Sequence, residues 1–253
     1  MEKDDGIDQR QDRSFLSRVR IVLVEPSHPG NIGAAARAMK TMGLHRLALV
    51  RPREFPSAAA TARASGADDI LTAACLYADL AQAIADCGMV VGTTARARHL
   101  EWPVTGPREA ALELRELPDS TQTALVFGRE QAGLTNDELA QCRCVIRIPT
   151  ENSFSSLNIA QAVQICAYEL RLAALAGSPS AQGDDEPLAS ARELADANRH
   201  LLQVMEAVGF FNPDRPKLLP VRMQRLINRY GLKQSEVRIL RGFCTAIEEN
   251  LST

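Results

Sequence analysis

Five short runs of Val, Leu and Ile punctuate the first two thirds of the chain: VRIVLVE from Val19, RLALV from Arg46, GMVVGTT from Gly88, TALVFG from Thr123 and CVIRIP from Cys144. None alternates apolar with polar positions, as a strand does when one of its faces meets water. Unbroken runs of this length fit parallel strands whose sheet is covered by helices on both faces. Between the runs, residues 31–42, 57–65, 77–86 and 156–175 are alanine-rich, with apolar positions three and four apart, and predict helices. The letters TNDE at 135–138 predict a capping box that opens a further one. Strand and helix in alternation predict an α/β domain over residues 18–176, built on a parallel sheet.

The pattern changes after residue 176. Residues 177–187 read GSPSAQGDDEP, a linker by composition. Over 188–253 only helical spacing remains: Leu194, Leu201, Leu202, Met205 and Val208 form one stripe, Leu219, Met223, Leu226 and Tyr230 a second, and Val237, Leu240, Cys244 and Ile247 a third. A small C-terminal all-helical extension of three helices is expected there. The charged and polar first segment, 1–17, is expected to be a mobile tail.

Composition narrows the function classes. With 253 residues, 45% of them apolar, the chain can bury one sizeable core and a smaller second one. Its net charge of −2 does not advertise a polyanionic partner. Charge concentrates locally, however: residues 213–241 carry eight basic side chains against two acids, Asp214 and Glu236. Arg222, Arg225 and Arg229 recur there at i, i+3 and i+7, on one helical face. On charge alone, that face is as readily the solvated side of a bundle as a nucleic-acid footprint. The six cysteines are scattered and lack a C-x-x-C pair. Reduced, mostly buried thiols of a cytoplasmic protein are therefore expected, with no metal. No run of about 18 apolar residues occurs, so no membrane partner is expected.

The stretch PSHPGNIGAAARAMKTMG at 26–43 follows the first run and reads as a tight turn entering a helix. Gly30 and Gly33 fall short of both G-x-G-x-x-G and G-x-x-x-x-G-K-[ST], so neither nucleotide motif is present. An anion at the unpaired amides of the helix start stays open, with Arg37 one turn beyond. In open α/β sheets, ligands bind beyond the carboxyl ends of the strands. Three such ends, GTTARAR at 92–98, FGREQAGLTNDE at 127–138 and IPTENSFSSLNIAQAV at 148–163, combine small residues, hydroxyls and glycines. That composition suits a ligand read by main-chain groups. Singly, each feature has a plainer reading: Gly128 and Gly133 as chain turns, Ser155 and Ser156 as caps of a long helix from Leu157, Glu130 as a structural carboxylate pairing Arg129 or a loop amide, Trp102 as packing. No histidine stands within these three stretches to activate a serine.

Together and in this order, N-x-G-x-x-x-R at 31–37, LVFGRE-x-x-GLT at 125–135 and IP…SSLN-x-A-x-AV at 148–163 resemble the three signature motifs of the SPOUT, or trefoil-knot, RNA methyltransferases. The likeness is strongest to the TrmH-like ribose 2′-O-methyltransferases and runs from Arg18 onward. With the helical extension, the chain looks most like those enzymes of the class that methylate nucleotide 32, a cytidine or uridine, in the tRNA anticodon loop. The resemblance implies a knotted parallel sheet, S-adenosylmethionine as cofactor, tRNA as partner, and a homodimer whose active sites lie at the subunit interface. It implies catalytic roles for Arg37, Asn31, Glu130 and Asn158, and cofactor binding by Thr93, Thr94, Ala95, Gly128, Gly133, Ile148, Ser155, Ser156 and Leu157. The turn at Gly30 would then hold an RNA phosphate and Arg37 the acceptor ribose, while Arg222, Arg225 and Arg229 become tRNA contacts of the extension. The competing readings are a ribosomal RNA methyltransferase of the same family, a non-catalytic RNA-binding relative and a nicotinamide-dependent oxidoreductase. The last lacks its third glycine and meets arginines at VRPRE, where it needs an acid.

Overall fold

The computed structural model describes residues 15–95, 102–151, 153–176 and 186–252. Its central strand β1 (Val19–Val24) shows why the apolar runs do not alternate. Val19, Ile21 and Leu23 pack into one hydrophobic cluster, Val22 and Val24 into another, and all are buried. Around it stand β2 (Arg46–Val50), β3 (Cys75–Tyr77), β4 (Met89–Thr93), β5 (Val104–Thr105), β6 (Thr123–Phe127) and β7 (Cys144–Ile146). The strands pair in parallel in the order β3-β2-β1-β6-β4-β7-β5. The five predicted runs are β1, β2, β4, β6 and β7. The other two strands lie at the sheet edges, are three and two residues long, and are mostly exposed or half-buried, so no apolar run marks them.

In chain order the helices of this region are α1 (Pro29–Thr41), α2 (Ala58–Ala64), α3 (Asp68–Thr72), α4 (Leu80–Ala83), α5 (Pro107–Arg115), α6 (Asn136–Ala140) and α7 (Ile159–Leu175). Helices α1, α2, α3, α5 and α7 bury their apolar sides in the first cluster, α4 and α6 in the second, so helices lie on both faces of the sheet. The helix predicted over 77–86 shrinks to the single turn α4, because Tyr77 ends β3 and the Asp79 carboxylate caps the turn by accepting the Gln82 amide at 2.8 Å. The capping box at TNDE forms as predicted: Thr135 Oγ1 accepts the Glu138 amide at 3.2 Å, and Glu138 accepts the Thr135 amide at 2.7 Å. Contact between α1 and α2 is so close that a Cβ on Gly33 would lie 2.0 Å from the Ala60 carbonyl oxygen. The second glycine of GNIG is therefore a helix-packing residue.

Two arginines are buried at the start of β1. Arg18 donates to the carbonyls of Leu114, Arg115, Leu117 and Pro118, closing the C-terminal end of α5, where a helix leaves its last carbonyls unpaired. Arg20 forks onto Asp86 at 2.6 and 2.8 Å and reaches the Ala83 carbonyl at the end of α4. The hydrogen bond from Arg20 outweighs burial and holds the Asp86 carboxyl below the usual carboxylate range.

Beyond the sheet, α8 (Ala191–Ala207), α9 (Leu219–Arg229) and α10 (Gln234–Leu251) form the three-helix extension around Ala189, Leu194, Ala197, Ile227 and Val237. The α10 stripe buries Val237 and Cys244 as predicted, but the inward faces of α8 and α9 are rotated from theirs. Val204 is buried where Met205 and Val208 were expected, while Leu226 and Tyr230 are 52% and 64% exposed. The cause is docking: α9 turns Asn228 inward, and its amide donates to the Ala140 carbonyl of the sheet region at 2.7 Å. Ala191 and Arg192 donate their amides to the Cys87 and Ala85 carbonyls at 2.8 and 3.2 Å. Phe15 and Leu16, at the end of the segment expected to be a tail, are buried. The rest of that tail (1–14) and most of the expected linker (177–185) lie outside the described residues. Five cysteines are buried, Cys75 is exposed, and all six are free. Burial pushes the thiols of Cys87, Cys144 and Cys166 up to about 12. Among the described residues, no helix is long and apolar enough to cross a membrane.

Gly33→Ala is expected to destabilise the fold by about 1–3 kcal/mol, since the α2 backbone must retreat from the added methyl; an unchanged midpoint in chemical unfolding would contradict the contact. Asp86→Asn is expected to melt below the parent at pH 7, with the gap closing as the pH falls below about 4. The sign follows from the depressed carboxyl, which stabilises the fold above its unfolded pKa and ceases to do so once protonated. Superimposable melting curves at pH 7 would show that the fork contributes nothing.

Candidate functional site

Strands β6, β4 and β7 are consecutive in the sheet, so the loops at their carboxyl ends meet. They enclose a pocket lined by Thr93, Thr94 and Ala95 after β4, residues 128–133 after β6, and Ile148, Thr150, Ser155, Ser156 and Leu157 after β7. Phe127, Ile146, Ile159 and Ala162 complete the lining. All nine residues of the expected cofactor set, Gly128 and Gly133 included, come to this one pocket.

The loop after β6 is built by its glycines. Arg129 and Gly133 exchange backbone hydrogen bonds at 3.2 and 2.8 Å, and Gly133 has φ 68°, which favours glycine. A Cβ on Gly128 would lie 2.2 Å from the Gly133 carbonyl carbon. Arg129 braces this loop from outside: Nε donates to Glu25 at 2.7 Å, and the two terminal nitrogens donate to Glu138 at 2.9 and 3.0 Å. Of the two partners expected for Glu130, the structure rejects Arg129 and keeps the loop amide, which is that of Ser27. The charge on Arg129 is spent on Glu25 and Glu138.

Glu130 faces the other way. Its carboxylate accepts the Ser27 amide at 3.1 Å, the Ser27 hydroxyl at 2.9 Å and Asn31 Nδ2 at 2.9 Å. Asn31 Oδ1 in turn accepts Asn158 Nδ2 at 2.9 Å, and Asn158 Oδ1 accepts the Ala160 amide at 2.9 Å. One relay of hydrogen bonds thus runs through all three motifs and ends as the N-cap of α7. Burial works against charge on Glu130, but hydrogen bonds from Asn31, its own amide and Ser27 outweigh it and hold the carboxyl below the usual range. Because α7 begins at Ile159 and Asn158 caps it, Ser155 and Ser156 are not its caps; both line the pocket instead.

Other expected site residues lie apart. Gly30 is buried in the first turn of α1, and its amide donates to His28 Nδ1 at 3.0 Å, so that amide is not offered to an anion. Arg37 does not line the pocket. It is exposed on α1 and borders a separate hollow with Arg63 and Gln164. On α9, Arg222 and Arg229 are exposed, whereas the Arg225 guanidinium sits 4.4 Å from the centre of the Trp102 ring. Trp102 is buried and donates its indole N–H to the Leu139 carbonyl at 3.0 Å, so Arg225 docks the extension onto the sheet region. Sequence reasoning missed Ser27, Glu25 and the bracing role of Glu138. Only the last left a signal, as the acidic member of the capping box.

The lining is apolar and hydroxyl-bearing, with an ionised carboxylate, Glu130, and a guanidinium already neutralised by two carboxylates. Such a pocket suits a ligand with an apolar body and a positive charge.

Residues 18–168 match the SpoU rRNA Methylase family, and residues 192–253 match the C-terminal domain of the tRNA methyltransferase TrmJ. The chain is 46% identical over 245 residues to the tRNA (cytidine/uridine/adenosine-2′-O-)-methyltransferase TrmJ of Pseudomonas aeruginosa (strain UCBPP-PA14), a match covering 93% of this chain and 95% of that one. It is 45% identical over 240 residues to the tRNA (cytidine/uridine-2′-O-)-methyltransferase TrmJ of Sodalis glossinidius (strain morsitans), covering 92% of each. Among solved structures, TrmJ from Z. mobilis ZM4 aligns with a TM-score of 0.80 at 38% identity, over 90% of this chain and 98% of that one.

The relay makes a test by isosteric change. Asn31→Asp sets a second carboxylate against Glu130 and is expected to melt below Asn31→Ala at pH 7, although it changes less volume. At pH 5 the order is expected to close, since one of two facing carboxyls takes up a proton more readily. An Asn31→Asp protein as stable as the parent at pH 7 would refute the contact.

Proposed function

The chain belongs to the SpoU rRNA methylase family, and from that premise we propose that it is a tRNA ribose 2′-O-methyltransferase using S-adenosylmethionine, with nucleotide 32 of the anticodon loop as its target. Support for tRNA comes from the curated TrmJ relatives, which are named for tRNA 2′-O-methylation, and from the TrmJ-type C-terminal region. The observation that carries the reading is that the loops after β4, β6 and β7 form one pocket, with Glu130 both in its lining and at the end of the relay. S-adenosylmethionine, when bound, supplies an electrophilic methyl group beside a positive sulfur. Thr93, Thr94, Ala95, Gly128, Gly133, Ile148, Ser155, Ser156 and Leu157 would hold it, and the apolar, carboxylate-bearing lining fits that charge. Glu130, Asn31 and Asn158 keep the three segments in register around it.

Arg37 has the part that a guanidinium can play. A guanidinium is no base; Arg37 stabilises negative charge on the ribose 2′-oxygen, and an RNA phosphate or solvent takes the proton. Since it does not line its own chain's pocket, it serves the pocket of a second copy in a homodimer. Residues 18–176 carry the chemistry and 188–253 grip the tRNA, with the exposed Arg222, Leu226 and Arg229 on α9 and Tyr230 just beyond its end. Arg225 contributes there through its docking contact with Trp102. The protein works in the cytoplasm, where its tRNA is. The family description itself favours a second reading, methylation of ribosomal RNA.

Labelled methyl transfer into tRNA and rRNA from cells lacking the protein separates the two readings, and mapping the product locates the nucleotide. The proposal expects incorporation into tRNA at position 32; incorporation into rRNA alone would replace it. Arg37→Ala is expected to cost about 10²–10³ in single-turnover rate, the loss typical of one oxyanion donor, with donor affinity little changed. A near-normal rate would remove Arg37 from the mechanism.

A further inference from the structure

Arg37 shares its hollow with a second guanidinium. Arg63, on α2, borders the same cavity of about 340 Å³, together with Thr41, Ser65, Gln164 and a floor of alanines. No carboxylate lines the hollow, and neither Arg37 nor Arg63 has a hydrogen-bond or ion-pair partner among the described residues. Arg18, Arg20, Arg51 and Arg129 are each spent on carbonyls or carboxylates, and the neighbouring Asp69 is held by Lys40 at 2.8 Å. Two like charges on one concave surface repel, and an anion placed between them relieves that repulsion.

The stem of Arg63 also runs beside the first turn of α1, where a Cβ on Gly30 would meet Arg63 Cγ at 3.5 Å. The anion expected at the helix amides of GNIG thus has a side-chain host, since the Gly30 amide is already given to His28.

Resting on the proposed function, we infer that Arg63, with Ser65 and Gln164, binds a backbone phosphate of the RNA next to the nucleotide whose ribose meets Arg37. A guanidinium fork matches two phosphate oxygens. The Ser65 hydroxyl and the Gln164 amide add neutral donors, and the alanine floor lets a sugar–phosphate chain lie close. Arg63 stands in TARASGADD, outside all three motifs.

The test uses the full chain and a tRNA substrate. Arg63→Gln is expected to raise the Kd for tRNA by about three- to tenfold and to flatten the salt dependence of binding by a log–log slope of about 0.7–0.9. The loss in kcat/KM is expected in KM for tRNA, and the affinity for S-adenosylmethionine is expected to stay unchanged. Arg63→Lys keeps the charge without the fork and is expected to recover the slope. Unaltered tRNA affinity and slope in Arg63→Gln, in a preparation whose parent methylates tRNA, would overturn the phosphate site and leave the function standing. So would an Arg63→Gln protein whose dimer dissociates more readily while its salt slope is kept, since the hollow would then bind a second copy of the chain. An Arg63-dependent slope in a parent that transfers no methyl to any RNA would support the phosphate site and refute the proposed activity.

Discussion

Asn31 stands 99 residues from Glu130 and 127 from Asn158 along the chain, yet its one side-chain amide joins them. A carboxamide is suited to the middle of such a relay, because it donates through nitrogen and accepts through oxygen at the same time. An aspartate there could only accept from Asn158 and would repel Glu130. Closing loops of this length costs conformational entropy. The parallel sheet offsets that cost by setting β1, β6, β4 and β7 side by side before the side chains meet. The relay then fixes how the loop ends stand relative to one another, a finer matter than strand pairing can decide.

The same economy shows in the arginines. Arg18 and Arg20 close helix ends, Arg129 braces the loop after β6, and Arg225 lies on Trp102. Each uses the reach and the fork of a guanidinium for architecture. Arg37 and Arg63 instead border a surface hollow with no carboxylate in its lining. Pocket and arginine line separate cavities of one chain, and the proposed chemistry brings them together across two chains.

Much of this was legible in the sequence. The five inner strands announced themselves as unbroken apolar runs because both sheet faces are covered, and the three loops after β4, β6 and β7 could be named because ligand sites gather at strand ends. The edge strands β3 and β5 left no apolar run, because their few residues are exposed or half-buried at the sheet edges. Helix α5 escaped because only Ala110, Ala111 and Leu114 mark its buried side; Pro107 at its start and Arg115 in its last turn were the available signals. The inward faces of α8 and α9 were misjudged for another reason. Apolar spacing shows that a helix has a buried side, but docking on a neighbouring region decides which side it is, as Asn228 does here. The partners of Glu130 and Arg129 come from segments about a hundred residues away, and local patterns carry no record of such pairings.

The distribution of thiols gives the chain a built-in gauge of its own integrity. Cys75 alone stands at the surface, while Cys87, Cys142, Cys144, Cys166 and Cys244 are sealed in the packed interior. A chromogenic disulfide reagent that attacks thiolates would therefore titrate one equivalent on the native chain and six after denaturation. Intermediate stoichiometry would count, molecule by molecule, how much of a preparation has lost its packing.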